Sequence, residues 1–452
     1  MKRYENYKPS PVKWKSEFPG HWKLIRGKFL FIKENRQVQS TDEVVTCFRD
    51  GTVTLRKNRR TTGFTESLKE IGYQGIRKGD LVIHVMDAFA GAIGVSDSDG
   101  KGTPVYNVCT PLKDLNNYYY AYLLRDIAQK GFIQSLYKGI RERSSDFRFD
   151  VFGNQFYPVP PREEQDQIVR FLDWKVSEIN RLINIKLKEI ERLEELKRSE
   201  IGHVIMGGLI DSSYKETAIS WVKSIPTHWE EKSVIQVAEE QQIKNAGMIE
   251  DNLLSLSYGK IINKDINTTD GLLPASFEGY QIVYAGNIIL RLTDLQNDHK
   301  SLRTGLATQK GIITSAYTCL KVRHGMNPEY LQLQLHVADL CKVFYGMGGG
   351  VRQSIGFKEI RKLLIAVPPI EEQEQILEIV HQIEEPINNT IQKYNEIIVA
   401  LQDLKNRLIS DVVTGKIDVR GIEIPEYEYV DEVAGNDTED ADSEEAIEAQ
   451  EE

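Results

Sequence analysis

The side chains of this sequence that could do chemistry are basic and amide groups, not the usual parts of an enzyme. No G-x-x-x-x-G-K-[ST] phosphate loop occurs, because the nearest match, 414–417, lacks the first glycine and the hydroxyl residue. The Asn/Asp-Pro-Pro-Tyr/Phe motif of amino-methyltransferases is also absent. His21 and His228 have no second histidine or carboxylate at ligand spacing, so we interpret them as packing beside Trp22 and Trp229. The sequence therefore indicates no catalytic residue and no metal site.

Basic and amide residues cluster in the middle of each half of the chain. Arginine, asparagine and glutamine suit hydrogen bonding to guanine and adenine edges, and lysine suits phosphate. For any one of these residues, a solvated surface charge is the simpler interpretation, so the clusters alone leave DNA contact open. The candidate DNA-binding residues are Arg56, Lys57, Arg59, Arg60, Arg141, Arg143, Arg148, Lys300, Arg303, Lys310, Arg352 and Gln353.

The elements that must position these residues occur twice. Trp14–Trp22 returns as Trp221–Trp229 at an offset of 207 residues, and Pro160–Ile168 returns as Pro368–Ile376 at an offset of 208. One tryptophan motif could recur by chance, but several motifs at a constant offset indicate a duplicated unit. The middles of the two copies diverge far more than their edges, which suggests a shared frame that presents two different binding surfaces.

A long helix is predicted after each Pro-Pro pair. Apolar residues recur there with the mean spacing of 3.5 that is typical of a coiled-coil seam. The two stripes would pack on each other as an antiparallel coiled coil, a rod of roughly 60 Å at ~1.5 Å per residue. An ordinary helical hairpin explains the stripe equally well. Pro386 predicts a kink in the second helix. The predicted seam residues are Ile168, Leu172, Val176, Ile179, Ile183, Leu187, Ile190, Leu193, Ile376, Val380, Ile387, Ile391, Ile398, Leu401 and Leu404.

The parts that precede the helices are predicted to be mixed α/β (α+β) globular domains. Short β-rich runs such as Leu81–Val85 and Ile288–Leu292 lie between turns that contain glycine and aspartate. The predicted architecture is two tandem globular domains and two long helices in a pseudo-twofold repeat. Its divisions are 1–159, the helix 160–211, the second globular domain 212–367, the helix 368–420 and an acidic tail 421–452.

Composition places limits on the class of protein. The chain of 452 residues is long enough for two or more domains. We expect no membrane span and no secretory signal, and the four isolated cysteines fit a reducing cytoplasm. Residues 421–452 hold fourteen acidic and no basic residues, so they are predicted to be disordered. Residues 1–420 carry 57 basic and 53 acidic side chains, so the folded body is mildly basic.

Together these motifs resemble the specificity subunit of Type I restriction–modification systems. The resemblance rests on the two Trp-x3-[Phe/Ile]-Pro-x-His-Trp openings, Lys78–Asp80, the two Pro-Pro-x-Glu-Glu-Gln-x-Gln-Ile helix starts and Val412–Asp418. It covers residues 10 to 420. The sequence departs from the family pattern at Val204–Gly208, which lacks the Thr-Gly-Lys of the second copy, and in its acidic tail.

The resemblance implies a function without catalysis by this chain. Two target recognition domains, 1–159 and 212–367, would each read one half of a bipartite DNA site, and the antiparallel helices would set the gap between the halves. Two methyltransferase subunits, and usually two restriction subunits that act as ATP-dependent translocases and nucleases, would be the partners. No cofactor is expected on this chain, whereas S-adenosylmethionine, ATP and Mg²⁺ are expected for the partners.

Two other classes of function remain as alternatives at this stage. A stand-alone DNA-binding regulator could use the same duplicated scaffold without a partner enzyme, and a nuclease could carry its own catalysis. Co-purification with a methyltransferase subunit separates the first from a specificity subunit. The absence of cleavage or methyl transfer by the purified chain would exclude the second.

Overall fold

The chain folds into two compact units, Met1–Lys188 with Tyr394–Glu452 and Glu189–Lys393. A computed structural model describes residues 2–59, 71–136, 146–207, 213–257, 259–266, 276–293, 295, 302–347 and 354–431. The boundaries of the units fall inside the two long helices, so each helix contributes one part to each unit. The divisions drawn from the sequence follow single elements instead, and they remain a prediction.

The first unit contains an antiparallel sheet beside a three-turn helix. Its strands are β1 (Tyr7–Pro9), β2 (Glu17–Pro19), β3 (Lys23–Arg26), β4 (Phe31–Lys33), β5 (Val45–Cys47), β6 (Val53–Leu55), β7 (Gln74–Ile76), β8 (Leu81–His84), β9 (Ile93–Val95), β10 (Gly100–Gly102), β11 (Tyr106–Pro111) and β12 (Phe156–Val159). Its helices are α1 (Asn117–Gln129), α2 (Phe132–Ser135) and α3 (Phe149–Asn154). The central sheet has the order β4-β11-β8-β9. The side chain of Asn116 caps α1 by accepting from the backbone N–H groups of Tyr118 and Tyr119.

The second unit repeats this topology. Its strands are β13 (Tyr214–Glu216), β14 (Ser224–Pro226), β15 (Glu230–Ser233), β16 (Ala238–Glu240), β17 (Leu254–Ser257), β18 (Lys260–Asn263), β19 (Gln281–Val283), β20 (Ile288–Leu290), β21 (Thr304–Leu306), β22 (Gly311–Ile313), β23 (Thr318–Val322) and β24 (Leu364–Val367). Its short helices are α5 (Val234–Val237), α6 (Pro328–Leu340) and α7 (Phe357–Ile360). The sheet order β16-β23-β20-β21 matches that of the first unit strand for strand. Asn327 caps α6 as Asn116 caps α1. The duplication predicted from the sequence is confirmed in the fold.

The long helices are α4 (Arg162–Gly207) and α8 (Ile370–Val413), and α8 continues through Pro386. Within the first unit they run antiparallel. Leu172 and Val413 share one core, Asn180 accepts from Lys405 Nζ at 3.4 Å, and the Lys186 ammonium lies over the ring of Tyr394. Residues further along α4 therefore contact residues nearer the start of α8, as in an antiparallel pair. Across the described stretches of the chain, no helix is long and apolar enough to cross a membrane.

The predicted seam is largely buried. Its fully buried members are Ile168, Leu172, Ile179, Ile183, Ile376, Val380 and Ile398, and its half-buried members are Val176, Ile190, Leu193, Ile387, Ile391 and Leu401. Leu187 and Leu404 are exposed instead. Beside Leu404, Lys405 is the residue that turns inward to Asn180, so a polar pair occupies the seam where the apolar spacing predicted leucine.

A buried carboxylate joins the first globular part to the start of α4. Glu164 Oε1 accepts from Trp22 Nε1 at 2.9 Å and from the hydroxyl of Tyr4, while Glu164 Oε2 lies 2.8 Å from His21 Nε2. Burying a carboxylate is costly unless donors surround it, so this geometry requires the tryptophan and histidine together with the glutamate. The two motifs that recur in the sequence are therefore the two sides of one joint.

The second unit has the same joint with fewer donors. His228 Nε2 lies 2.8 Å from Glu372 Oε2. Trp229 Nε1 and Glu372 Oε1 are both buried, and neither has a hydrogen-bond partner among the described residues. At this joint, the buried polar groups of the first unit are better satisfied by hydrogen bonds than those of the second unit.

A tyrosine on the three-turn helix of each unit holds the end of a long helix. Tyr119 of α1 donates to the carbonyl of Val413 at 3.0 Å, and Tyr330 of α6 donates to the carbonyl of Ile205 at 3.2 Å. Val413 ends α8, and Ile205 lies in the last turn of α4. Each globular part thus fastens the start of the helix that follows it and the end of the other helix.

Gly415 and Gly207 occupy the same position of the repeat, but their substitution by alanine should affect the stability of the protein differently. Gly415 has a φ of +71°, and an added Cβ would lie 2.5 Å from Pro19 Cδ and 2.8 Å from Trp22 Cη2. The backbone strain and the overlap together should cost about 2–4 kcal/mol in Gly415→Ala. In Gly207→Ala the new methyl group meets only His203, at 4.0 Å, so stability should stay equal or rise by up to ~1 kcal/mol. Urea unfolding measures both variants, and equal effects would contradict this reading of the joint.

His336 should make the second unit sensitive to acid. Burial, reinforced by Lys197 and Arg198, lowers its pKa from 6.5 to about 4. Because the folded-state pKa is the lower one, the stabilisation is fully present above pH 6.5 and is lost as the pH falls towards 4. The loss should be at most about 3 kcal/mol. Hydrogen exchange of α6 against pH should show this dependence, His336→Gln should remove it, and the exposed control His324→Gln should not. The same profile in His336→Gln would contradict the assignment.

Candidate nucleic-acid interface

A hairpin in the first unit carries the densest basic cluster of the described residues. Its strands β5 and β6 pair antiparallel, with Val45, Cys47 and Val53 buried beneath them. A single 3₁₀ turn, Arg56–Asn58, follows β6. Two hydrogen bonds tie the turn to the strands, Arg56 Nε to Thr46 Oγ1 at 3.2 Å and Asn58 Nδ2 to Thr54 Oγ1 at 2.9 Å. The hairpin therefore holds a polar turn at the surface on an apolar base.

Carboxylates already accompany the cations of this turn. Lys57, which is exposed, pairs with Glu43. The half-buried Arg59 pairs with Asp50 at 2.7 Å and lies over the ring of Phe48 at 4.4 Å from its centroid. Exposed pairs of this kind contribute little to stability, so a phosphate group could replace the carboxylate at Lys57 at small cost. Lys57 is the more available of the two cations.

Two further predicted residues lie at the surface in ion pairs. Arg148 precedes α3 and pairs with Asp146 at 2.6 Å. Lys310 pairs with Glu250 at 2.9 Å, and this hydrogen bond raises the pKa of Lys310. Both side chains are exposed enough to meet a ligand, so their predicted contact with DNA stays open.

Arg303 needs a correction, because the structure buries it completely. Its Nη1 donates to the carbonyls of Thr293 at 2.8 Å and Arg291 at 3.1 Å, and its Nε donates to the hydroxyl of Tyr345 at 3.1 Å. Its backbone N–H donates to Asp339 at 2.8 Å. A guanidinium that is enclosed in this way cannot reach a base edge, so Arg303 has a structural role in the second unit.

The remaining predicted residues lie outside the described part of the chain. They are Arg60, Arg141, Arg143, Lys300, Arg352 and Gln353. Their DNA contact remains a prediction from the sequence.

The counterpart of the basic turn in the second unit was missed by the sequence prediction. Adding the repeat offset of 207 to Arg56 and Lys57 gives Asn263 and Lys264, which are exposed at the end of β18. Gln309 donates to Asn263 Oδ1 and is also exposed. The prediction searched for clusters of positive charge, whereas applying the offset would have found this stretch. The two stretches occupy the same position of the repeat but carry different side chains.

Apolar side chains remain exposed on the paired helices of the first unit. Two of them, Leu187 and Leu404, were predicted to lie in the seam, and the search for seam spacing did not find the other four. They are Leu182, Ile185, Leu187, Ile397, Val399 and Leu404. Exposed apolar residues that recur along paired helices form a surface of the kind that packs against a partner.

The comparisons with known proteins agree on the class. Residues 300–398 match the family described as Type I restriction modification DNA specificity domain. This stretch holds β21 to β24, α6, α7 and the first part of α8, so the second unit carries that domain. The resemblance predicted from the motifs is confirmed by this match. No curated protein matches the chain.

Three solved structures are similar to the chain, and the first of them has the same fold. One, described as the structural basis of complex assembly and conformational transition of the type I R-M system, is 16% identical with a TM-score of 0.60, over 89% of this chain and 100% of the other. An HsdS subunit from Thermoanaerobacter tengcongensis is 14% identical with a TM-score of 0.42, over 90% and 99%. The S subunit of a Type I system from M. genitalium is 12% identical with a TM-score of 0.34, over 90% and 99%.

Residues 300–398 thus resemble a Type I restriction modification DNA specificity domain, and the chain has the fold of the first of these solved structures. The predicted fold class, α/β domains with two long helices, is confirmed.

Lys57 provides a test of the interface. Because it is exposed, Lys57→Ala should change the free energy of unfolding by less than about 0.5 kcal/mol. Loss of one phosphate contact should weaken binding to duplex DNA by roughly threefold and lower the slope of log K against log [salt] by about 1. Fluorescence anisotropy at several salt concentrations measures both. Lys416→Ala is the matched control, since Lys416 is equally exposed and pairs with Asp411 at 2.9 Å. Unchanged affinity of Lys57→Ala for duplex DNA would show that this turn does not belong to the DNA interface.

Proposed function

We propose that this chain selects the DNA sequence for a Type I restriction–modification complex. Each globular part is a recognition domain that reads one half of a bipartite site, and α4 with α8 sets the gap between the halves. The observation that carries this proposal is the contrast between frame and surface. Sheet order and helix joints repeat, whereas Arg56–Asn58 in one copy is Asn263–Asp265 in the other.

Reading DNA requires polar side chains that a rigid base positions. The β5–β6 hairpin has this form, because its apolar face is buried and the turn that follows is fixed by two hydrogen bonds. Arginine and asparagine can form bidentate hydrogen bonds with guanine and adenine in the major groove, and lysine can hold the register on phosphate. The different side chains at this position of the two copies would then read different half-sites.

The long helices suit the task of spacing the half-sites. α4 has 46 residues and belongs to both units, and at ~1.5 Å per residue it extends over roughly 69 Å. A helix is stiff along its axis, so adding whole turns would lengthen the gap without altering either recognition surface. This is the expected behaviour of a spacer.

Catalysis in this proposal belongs to partners. Two methyltransferase subunits would modify adenine with S-adenosylmethionine, and restriction subunits would use ATP and Mg²⁺. The exposed apolar residues on the paired helices of the first unit offer a surface for one of these partners. The complex would act in the cytoplasm, where its DNA lies.

Exchange of one recognition domain tests the proposal. When residues 20–159 are replaced by the corresponding part of another specificity subunit, one half-site should change and the other should stay, because the joints that hold the domain belong to the shared frame. Methylated adenines are mapped in DNA from cells that make the chain with its methyltransferase. The matched control replaces the domain of the second unit, which should change only the other half-site. A change in both halves, or no methylation at a bipartite site with the unaltered chain, would contradict the proposal.

A further inference from the structure

The chain continues after α8 as an extended segment, Val419–Asp431, that lies along α4 in the first unit. At one end, Gln167 Nε2 of α4 donates to the carbonyls of Val419 at 3.1 Å and Ile422 at 2.8 Å. Most of this segment was placed in the acidic tail by the sequence prediction. The structure fixes it to the helix by its backbone instead.

The other end of the segment is held in the same manner. Val430 N donates to Ser177 Oγ at 3.3 Å, and Asn180 Nδ2 donates to the carbonyl of Val430 at 3.1 Å. Asn184 Nδ2 donates to the carbonyl of Asp431 at 3.3 Å. Ser177 and Asn180 are buried as a result. The N-terminal part of α4 therefore presents a line of polar side chains that binds an extended polypeptide.

The repeat places a matching line on α8 in the second unit. At the offset of 208, Gln167 corresponds to Gln375 and Asn180 to Asn388, with identical residue types. The internal contact is retained as well, since Lys197 Nζ lies 3.0 Å from Asn388 Oδ1, as Lys405 Nζ lies 3.4 Å from Asn180 Oδ1. The local geometry of the binding line therefore recurs.

The two lines differ in exposure, because Gln167 and Asn180 of α4 are buried. Gln375 and Asn388 are exposed, and no described residue accepts a hydrogen bond from the side-chain amide of either. The described chain that follows α4 enters β13, which pairs with β14. Two amides of the types that hold a polypeptide backbone on α4 are thus exposed on α8.

The lines of polar side chains on α4 and α8 differ in charge, so they favour segments of different charge. On α4, Arg181 lies 3.5 Å from Glu428 of the bound segment, which is acidic. At the corresponding places α8 has Asn389 for Arg181 and Glu385 for Ser177. An acidic segment would meet a carboxylate instead of a cation there, so the line on α8 favours a basic occupant.

We propose that Gln375, Glu385 and Asn388 dock an extended basic segment of the methyltransferase subunit, as α4 docks Val419–Asp431. The inference rests on the proposed function, because it names a surface for the partner assigned there. In the first unit, the line on α4 is already occupied by Val419–Asp431 of the same chain. Two methyltransferase copies that bind the repeated surfaces would therefore bind with different affinities. The copy on the second unit gains a contact that the other copy lacks.

A triple variant tests the docking line in the full chain. Gln375→Ala, Glu385→Lys and Asn388→Ala together remove two amide donors and reverse one charge on an exposed surface. One of two methyltransferase copies should bind about tenfold more weakly, as measured by native mass spectrometry and biolayer interferometry. Glu374→Lys is the matched control, since Glu374 corresponds to Asp166, which contacts Asn116 and Arg162 rather than the segment. Equal unfolding curves confirm that the triple variant folds.

The outcomes separate this inference from the proposed function. Hydrogen exchange should show that residues 375–392 become protected when the methyltransferase subunit binds, and that the triple variant loses this protection. Unaltered affinity for both copies would overturn the docking line while leaving the proposed function intact. Loss of self-association in the variant instead would make a second copy of this chain the occupant and would also overturn it. A chain that binds bipartite DNA but no methyltransferase would refute the partner half of the proposed function and this inference together.

Discussion

The rest of the structure depends on one buried carboxylate in each unit. Glu164 gathers the hydroxyl of Tyr4, the indole of Trp22 and the imidazole of His21 at the first turn of α4. Without these donors the carboxylate would remain buried and unpaired, which is among the costliest arrangements in a protein interior. The joint fastens the first turn of α4 to the globular part.

The two copies use this joint with different completeness. In the first unit both oxygens of Glu164 have donors, whereas in the second unit Glu372 Oε1 and Trp229 Nε1 are buried without a partner in the described chain. The copies also differ beyond the joint, because the described segment after α8 lies along α4 in the first unit. The two copies are thus unequal both at the joint and in the chain that follows the long helix.

Sequence patterns identified the parts of this fold that repeat. The offset revealed the duplication, and the 3.5 spacing identified the two helices and a seam whose members are mostly buried or half-buried. It failed at Leu404, because a lysine with an asparagine partner can occupy a seam that local spacing assigns to leucine. The search for clusters of basic residues failed at Arg303 for a related reason. Carbonyls and a tyrosine hydroxyl distant in sequence enclose that side chain, and no local pattern encodes such an enclosure.

The discontinuous first unit has a consequence for synthesis on the ribosome. Its two stretches, Met1–Lys188 and Tyr394–Glu452, are separated by the whole of the second unit, which is one continuous stretch of chain. At roughly 5–20 residues per second, translation of the intervening residues takes on the order of 10–40 seconds. The domain that is made first therefore waits for the end of α8, while the domain that is made second already has all its parts. The N-terminal half of the protein is the last to be completed.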